Sequence, residues 1–158
     1  MRLPLTLIIS LTTGLASYAQ YDADQLEHLS IDHRLFYKRD TVYSFYILRA
    51  GYAMKPDVTK TYYWSKQDTI LCTTGGYDGR LLNGAYKIFY PGKNLKESGQ
   101  FKKGLKTGEW RTWYTGGRLA SITYWKNGRQ YGASVLYDES GKEEKARTRV
   151  HSKKDSLP

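Results

Sequence analysis

The chain has 158 residues, 25 Lys and Arg against 15 Asp and Glu, and a formal charge of +10. That length holds one modest domain with extensions, and the single cysteine, Cys72, excludes an internal disulfide. The positive charge speaks to partners and solubility rather than to fold, and no nucleic-acid motif accompanies it, so nucleic acid is not expected as a partner.

Residues 1–19 read as a secretory signal. Arg2 supplies the positive start, Leu3 to Ala16 a short apolar run, and Ser17-Tyr18-Ala19 a small-x-small cleavage site before Gln20. The run is too short to span a bilayer comfortably as a permanent helix. The expectation is export to the periplasm, the outer membrane or the medium after cleavage near Ala19-Gln20.

Residues 20–40 form an N-terminal extension, in which Asp24 to Leu29 has the pattern of a short helix capped by Asp22 or Asp24. His28 and His33 stand five apart, a spacing that does not stack two ligands on one helical face. They are expected as surface histidines, with no metal and no cofactor.

Thr41 to Leu48 is β-rich and reads as a strand, Arg49 to Lys60 as a loop, and Thr61–Trp64 and Thr69–Cys72 as two strands about Ser65–Asp68. Residues 41–80 are expected to be a degenerate capping repeat, with Tyr77-Asp78-Gly79 in the place of a landmark that recurs downstream. Cys72 is expected to be buried on its strand rather than paired with another chain.

Residues 81–141 repeat with a period of 24. Gly84-Ala85-Tyr86-Lys87-Ile88-Phe89-Tyr90 is answered by Gly108-Glu109-Trp110-Arg111-Thr112-Trp113-Tyr114 and by Gly132-Ala133-Ser134-Val135-Leu136-Tyr137. Phe101-Lys102-Lys103-Gly104 returns as Trp125-Lys126-Asn127-Gly128. Two landmarks at one period mark a stacked array. Within each unit the alternation has a period of two, which is a strand signal. Gly and Asn in Pro91–Asn94, Thr115–Arg118 and Asp138–Gly141 are expected to supply the positive φ of a reversal. Second strands run from Leu95 to Phe101 and from Leu119 to Trp125, and Lys103-Gly104 and Asn127-Gly128 turn the chain again. The expected fold is all-β, an elongated antiparallel meander of repeated hairpins. Residues 142–158 are mixed in charge without apolar periodicity and read as a disordered tail.

Trp113-Tyr114-Thr115-Gly116-Gly117-Arg118-Leu119, Trp125-Lys126-Asn127-Gly128 and Gly132 resemble the MORN-type repeat in its bacterial variant. So do Phe89-Tyr90-Pro91-Gly92-Lys93-Asn94-Leu95, Phe101-Lys102-Lys103-Gly104 and Gly108. The resemblance covers about residues 77–141. Bacterial proteins of this kind are grouped as YwqK-like antitoxins, and other MORN proteins are scaffolds that bind membranes or proteins. The resemblance therefore implies a β-repeat fold more firmly than an activity.

No phosphate loop, metal-spaced cluster or nucleophile elbow is legible, so no enzymatic activity is expected. The leading expectation is an exported, non-enzymatic repeat module that binds a protein, peptide or envelope component. The alternative, carried by the resemblance, is an antitoxin that neutralises a toxin by direct binding. An anionic ligand or a membrane surface is a further candidate partner, and oligomeric state is left open. The aromatic faces, drawn from 15 Tyr, 4 Trp and 4 Phe, are read as core or as a ligand-stacking surface. For the second case the candidate binding residues are Tyr86, Tyr90, Trp110 and Tyr114, flanked by Lys102, Lys103, Arg111 and Lys126. Dispersed cations such as Lys87 and Lys106 are read as solvated, on turns and outward-facing strand positions, in preference to an anion-binding surface.

Overall fold

The computed structural model describes residues 31–144. The signal segment, the helix expected at Asp24–Leu29, His28 and residues 145–158 lie outside the described residues. The fold is all-β, and its strands are β1 (Ile31–Lys38), β2 (Thr41–Leu48), β3 (Thr61–Lys66), β4 (Thr69–Thr74) and β5 (Arg80–Phe89), then β6 (Leu95–Lys102), β7 (Leu105–Trp113), β8 (Leu119–Lys126), β9 (Arg129–Tyr137) and β10 (Glu143–Glu144). They make an open antiparallel sheet in the order β1-β2-β5-β6-β7-β8-β9-β10.

From β5 onward the sheet is the meander that the repeat requires, and the geometry keeps the sequence period. Tyr90, Tyr114 and Asp138 donate their backbone N–H to Asn94, Arg118 and Lys142 at 2.8, 2.9 and 3.0 Å. Between β6 and β7 the register jumps from Gln100↔Thr107 to Ser98↔Arg111. Between β8 and β9 the same jump runs from Tyr124↔Tyr131 to Ile122↔Val135, each residue 24 further on. These bulges admit extra residues on β7 and β9 and sharpen the local twist. The tyrosines lock successive units together: the Tyr90 hydroxyl donates to Trp113 O at 3.0 Å, and Tyr114 to Tyr137 O at 2.7 Å.

The turns correct one expectation. In Pro91–Asn94 it is Lys93 that takes the left-handed conformation (φ 64°), the position that Gly117 (φ 83°) and Gly141 (φ 88°) hold in the later units. The tight reversals at Arg39-Asp40, Gln67-Asp68, Lys103-Gly104 and Asn127-Gly128 have positive φ at both residues. That is the twist a two-residue hairpin demands.

The β3–β4 hairpin leaves the meander. β5 pairs with β3 only through Trp64↔Leu81 and Ser65↔Arg80, while β2 takes the rest of β5. The hairpin instead lays Tyr63 and Ile70 against the core cluster. β1 turns residues 31–38 of the expected extension into an edge strand. Glu143 and Glu144, at the start of the expected tail, pair with Tyr137 and Leu136.

The core is Phe45, Ile47, Leu82, Tyr86, Ile88, Phe101 and Trp110, with Trp125 and Tyr63 partly buried beside it. Tyr86, Phe101 and Trp110 form a triangle of rings with centroids 4.9–5.5 Å apart, two of the three contacts edge-on. Gly99 makes the triangle fit: a Cβ there would stand 2.3 Å from the Trp110 indole. Truncating a buried Trp of this kind costs about 3–5 kcal/mol.

Candidate functional site

Residues paired directly across an antiparallel sheet share a face, so the registers sort the side chains. One face carries Phe45↔Tyr86 and Tyr86↔Gly99, then Trp110. It is filled by the protein's own rings and partly covered by the β3–β4 hairpin. The opposite, outer face carries the row Ser44↔Lys87↔Ser98↔Arg111↔Ile122↔Val135.

The eight expected binding residues divide accordingly. Tyr86 and Trp110 keep only 8% and 2% of their surface and cannot stack on a ligand, which corrects the expectation for both. Tyr90 and Tyr114 are half-buried, and their hydroxyls are committed to the next unit's carbonyls. The four cations are exposed. Lys102 and Lys103 sit at the β6–β7 turn, where the Lys103 N–H donates to Asn83 Oδ1 at 2.9 Å. Lys126 pairs in register with Arg129 beside the Asn127-Gly128 turn. Only Arg111 lies within the outer row, its Nε paired with Glu109.

The row's other members lie outside the expected binding residues. Lys87 and Arg111 hold the same place in successive units, 24 residues apart, and that coincidence was legible in the sequence. Lys87 is exposed and has no carboxylate partner among the described residues. Ser98 lies between the two cations, half-buried. At the β1 end, His33 Nε2 lies 2.9 Å from Ser44 Oγ, and its ring rests on Tyr46 with centroids 4.7 Å apart. A histidine that close to a serine has the contact distance of a base and a nucleophile. No carboxylate orients the ring among the described residues, because the neighbouring Asp32 is bound by Arg80 and Arg49. Those guanidiniums, Arg80 foremost, hold the Asp32 carboxyl below its usual range.

Lys106 corrects the reading of the dispersed cations as solvated. Its Nζ sits 3.8 Å from the Trp110 ring centroid, 5.1 Å from that of Trp125 and 5.5 Å from that of Tyr63. The Glu97 carboxylate is 3.5 Å away. Burial pushes the amine's pKa down, and Glu97 opposes that shift. The ammonium thus fills a three-ring box on the core face, where ring quadrupoles replace lost water. The position 24 residues earlier is the fully buried Leu82.

Cys72 is exposed, against the expectation of burial, because β4 is the outer strand of its hairpin. Among the described residues no group of three His, Cys, Asp or Glu side chains is gathered as a metal site would need.

Comparison with family models, curated proteins and solved structures finds no match for this chain.

Proposed function

We propose that the protein is an exported, non-enzymatic β-repeat module of the MORN type, which binds a component of the cell envelope through the outer face of its sheet. The observation that carries this reading is the asymmetry of the two faces. Aromatic rings and the β3–β4 hairpin occupy the core face, whereas the outer face presents Lys87 and Arg111 at one repeat position, with hydroxyls beside them. A face built in this way offers charge and hydrogen bonds to a partner without any rearrangement of the core. Binding rather than chemistry fits the row's make-up: among the described residues no carboxylate orients the His33 ring that meets Ser44, because Asp32 is held by Arg80 and Arg49.

The test combines location with retention. Mass spectrometry of separated envelope and cytoplasmic fractions is expected to find a chain that begins at Gln20 and stays with the envelope. Lys87→Glu with Arg111→Glu is expected to release it into the soluble exported fraction while the fold is kept. An intact Met1 form confined to the cytoplasm would overturn the reading.

A further inference from the structure

We propose that the ligand of the outer face is an acidic surface glycan, an extended saccharide bearing carboxylate or sulfate groups, held along the row Ser44–Lys87–Ser98–Arg111. This names the ligand class for the face described above and rests on that reading.

Direct register puts the four residues side by side on strands β2, β5, β6 and β7. Lys87 and Arg111 are therefore two strand spacings apart, about 10 Å between backbones, with Ser98 midway. Two cations one repeat apart match two anionic groups on one extended chain better than they match a single small oxyanion. The Ser98 hydroxyl between them, and the Ser44–His33 pair at the end, supply the donors and acceptors that sugar hydroxyls need. Arg111 meets Glu109 through its Nε, and the Nη groups of a guanidinium suit a planar, bidentate anion. Glu109 is the carboxylate that a ligand anion would displace or neighbour, and it acts against binding.

Charge complementarity points to an anion, and the shape of the array narrows its source. A partner peptide would add as a strand at a sheet edge, either β1 or the length of β9 that β10 leaves free; β1 lies two strands from Lys87, and Gly132 sits inside a bulge on β9. In addition, Arg129, Ser134 and Asp138 replace the Leu105, Trp110 and Tyr114 of the preceding unit. Polar residues and a bulge at a sheet end oppose edge pairing. A lipid surface would be met by large apolar side chains between the cations; the row holds Ser98 there, and its apolar members Ile122 and Val135 lie beyond Arg111.

The experiment is isothermal titration of the exported chain with polygalacturonate and dextran sulfate, with neutral dextran and phosphatidylglycerol vesicles as comparators. Binding to at least one acidic polymer and none to neutral dextran is expected. Lys87→Gln with Arg111→Gln should weaken binding roughly 30-fold or more, the loss of two charge-assisted contacts. Lys102→Gln with Lys103→Gln removes the same charge from the turn and should change binding less than about 3-fold, since exposed charges off the site act only through screened attraction. Glu109→Gln should tighten binding, a gain that misfolding cannot imitate. Equal losses in the two double variants would overturn the proposal in favour of unspecific attraction. Tighter binding to the vesicles would overturn it in favour of a membrane. If neither polymer binds while Lys87 and Arg111 still govern envelope retention, the glycan falls and the outer face stands.

Discussion

Gly99→Ala isolates the packing that commits one face of the sheet to the core. The added methyl would lie 2.3 Å from two indole carbons of Trp110 and 2.8 Å from a third. Trp110 cannot retreat, because Tyr86 and Phe101 rings contact it at 5.5 and 4.9 Å and Lys106 sits 3.8 Å over it. Overpacking of this kind costs about 1–3 kcal/mol. Against it stands the reduced freedom of the unfolded chain, about 0.4–1 kcal/mol in favour of Ala. The net expectation is a loss of about 1–2 kcal/mol, read as a lower urea midpoint at unchanged slope. In a Trp110→Leu background the clash is gone, so the same substitution should be neutral or stabilising. The cycle should then return a coupling of at least about 1 kcal/mol. An equal loss in both backgrounds, or no loss in either, would refute the placement of Trp110 against Gly99.

Two further substitutions test the turns and the buried phenols. Lys93→Gly places glycine where Gly117 and Gly141 stand in the later units, and it relieves a left-handed lysine at φ 64°. Thermal denaturation should show a gain of up to about 1 kcal/mol, the left-handed penalty less the added freedom of the unfolded chain. Burial pushes the Tyr86 phenol well above its ordinary value of 10.0 and raises Tyr63 as well. In both cases the folded state keeps a proton that the unfolded state releases, so stability is full below about pH 10 and falls as pH rises further. Tyr86→Phe should flatten that alkaline fall in a pH series of urea midpoints while leaving Tyr63's share of it. An unchanged slope would contradict the burial of Tyr86.

The fold was legible because a single rule, period two inside a period of 24, is written into residues that also set the backbone. Glycines, Asn127 and the aromatic landmarks fix strands β5 to β9 before any contact is known. The β3–β4 hairpin is legible as two strands but not in its place, since nothing in Thr61–Thr74 says that β2 rather than β4 will pair with β5. β1 is not legible, because Asp32, His33 and Arg34 carry no strand pattern, and the pairing with β2 supplies what the local sequence lacks. The site was half legible. Alternation assigned Tyr86 and Trp110 to one face and Lys87 and Arg111 to opposite positions, but alternation alone does not say which face closes. That depended on Gly99, whose missing side chain admits the indole, and on a hairpin folding over from outside the array. The place of Lys106 is illegible for the same reason: only the three rings converging on it from β3, β7 and β8 make a core residue of a lysine.

The most direct test of the outer face is a lysine-labelling footprint, with the protein acetylated alone and in the presence of the envelope fraction and the sites quantified by mass spectrometry. Lys87 should be reactive alone and protected when the partner is present, whereas Lys66, on the hairpin that packs on the core face, should be labelled equally in both. Protection at Lys66 with Lys87 unchanged would place the partner on the other side of the sheet and contradict the account.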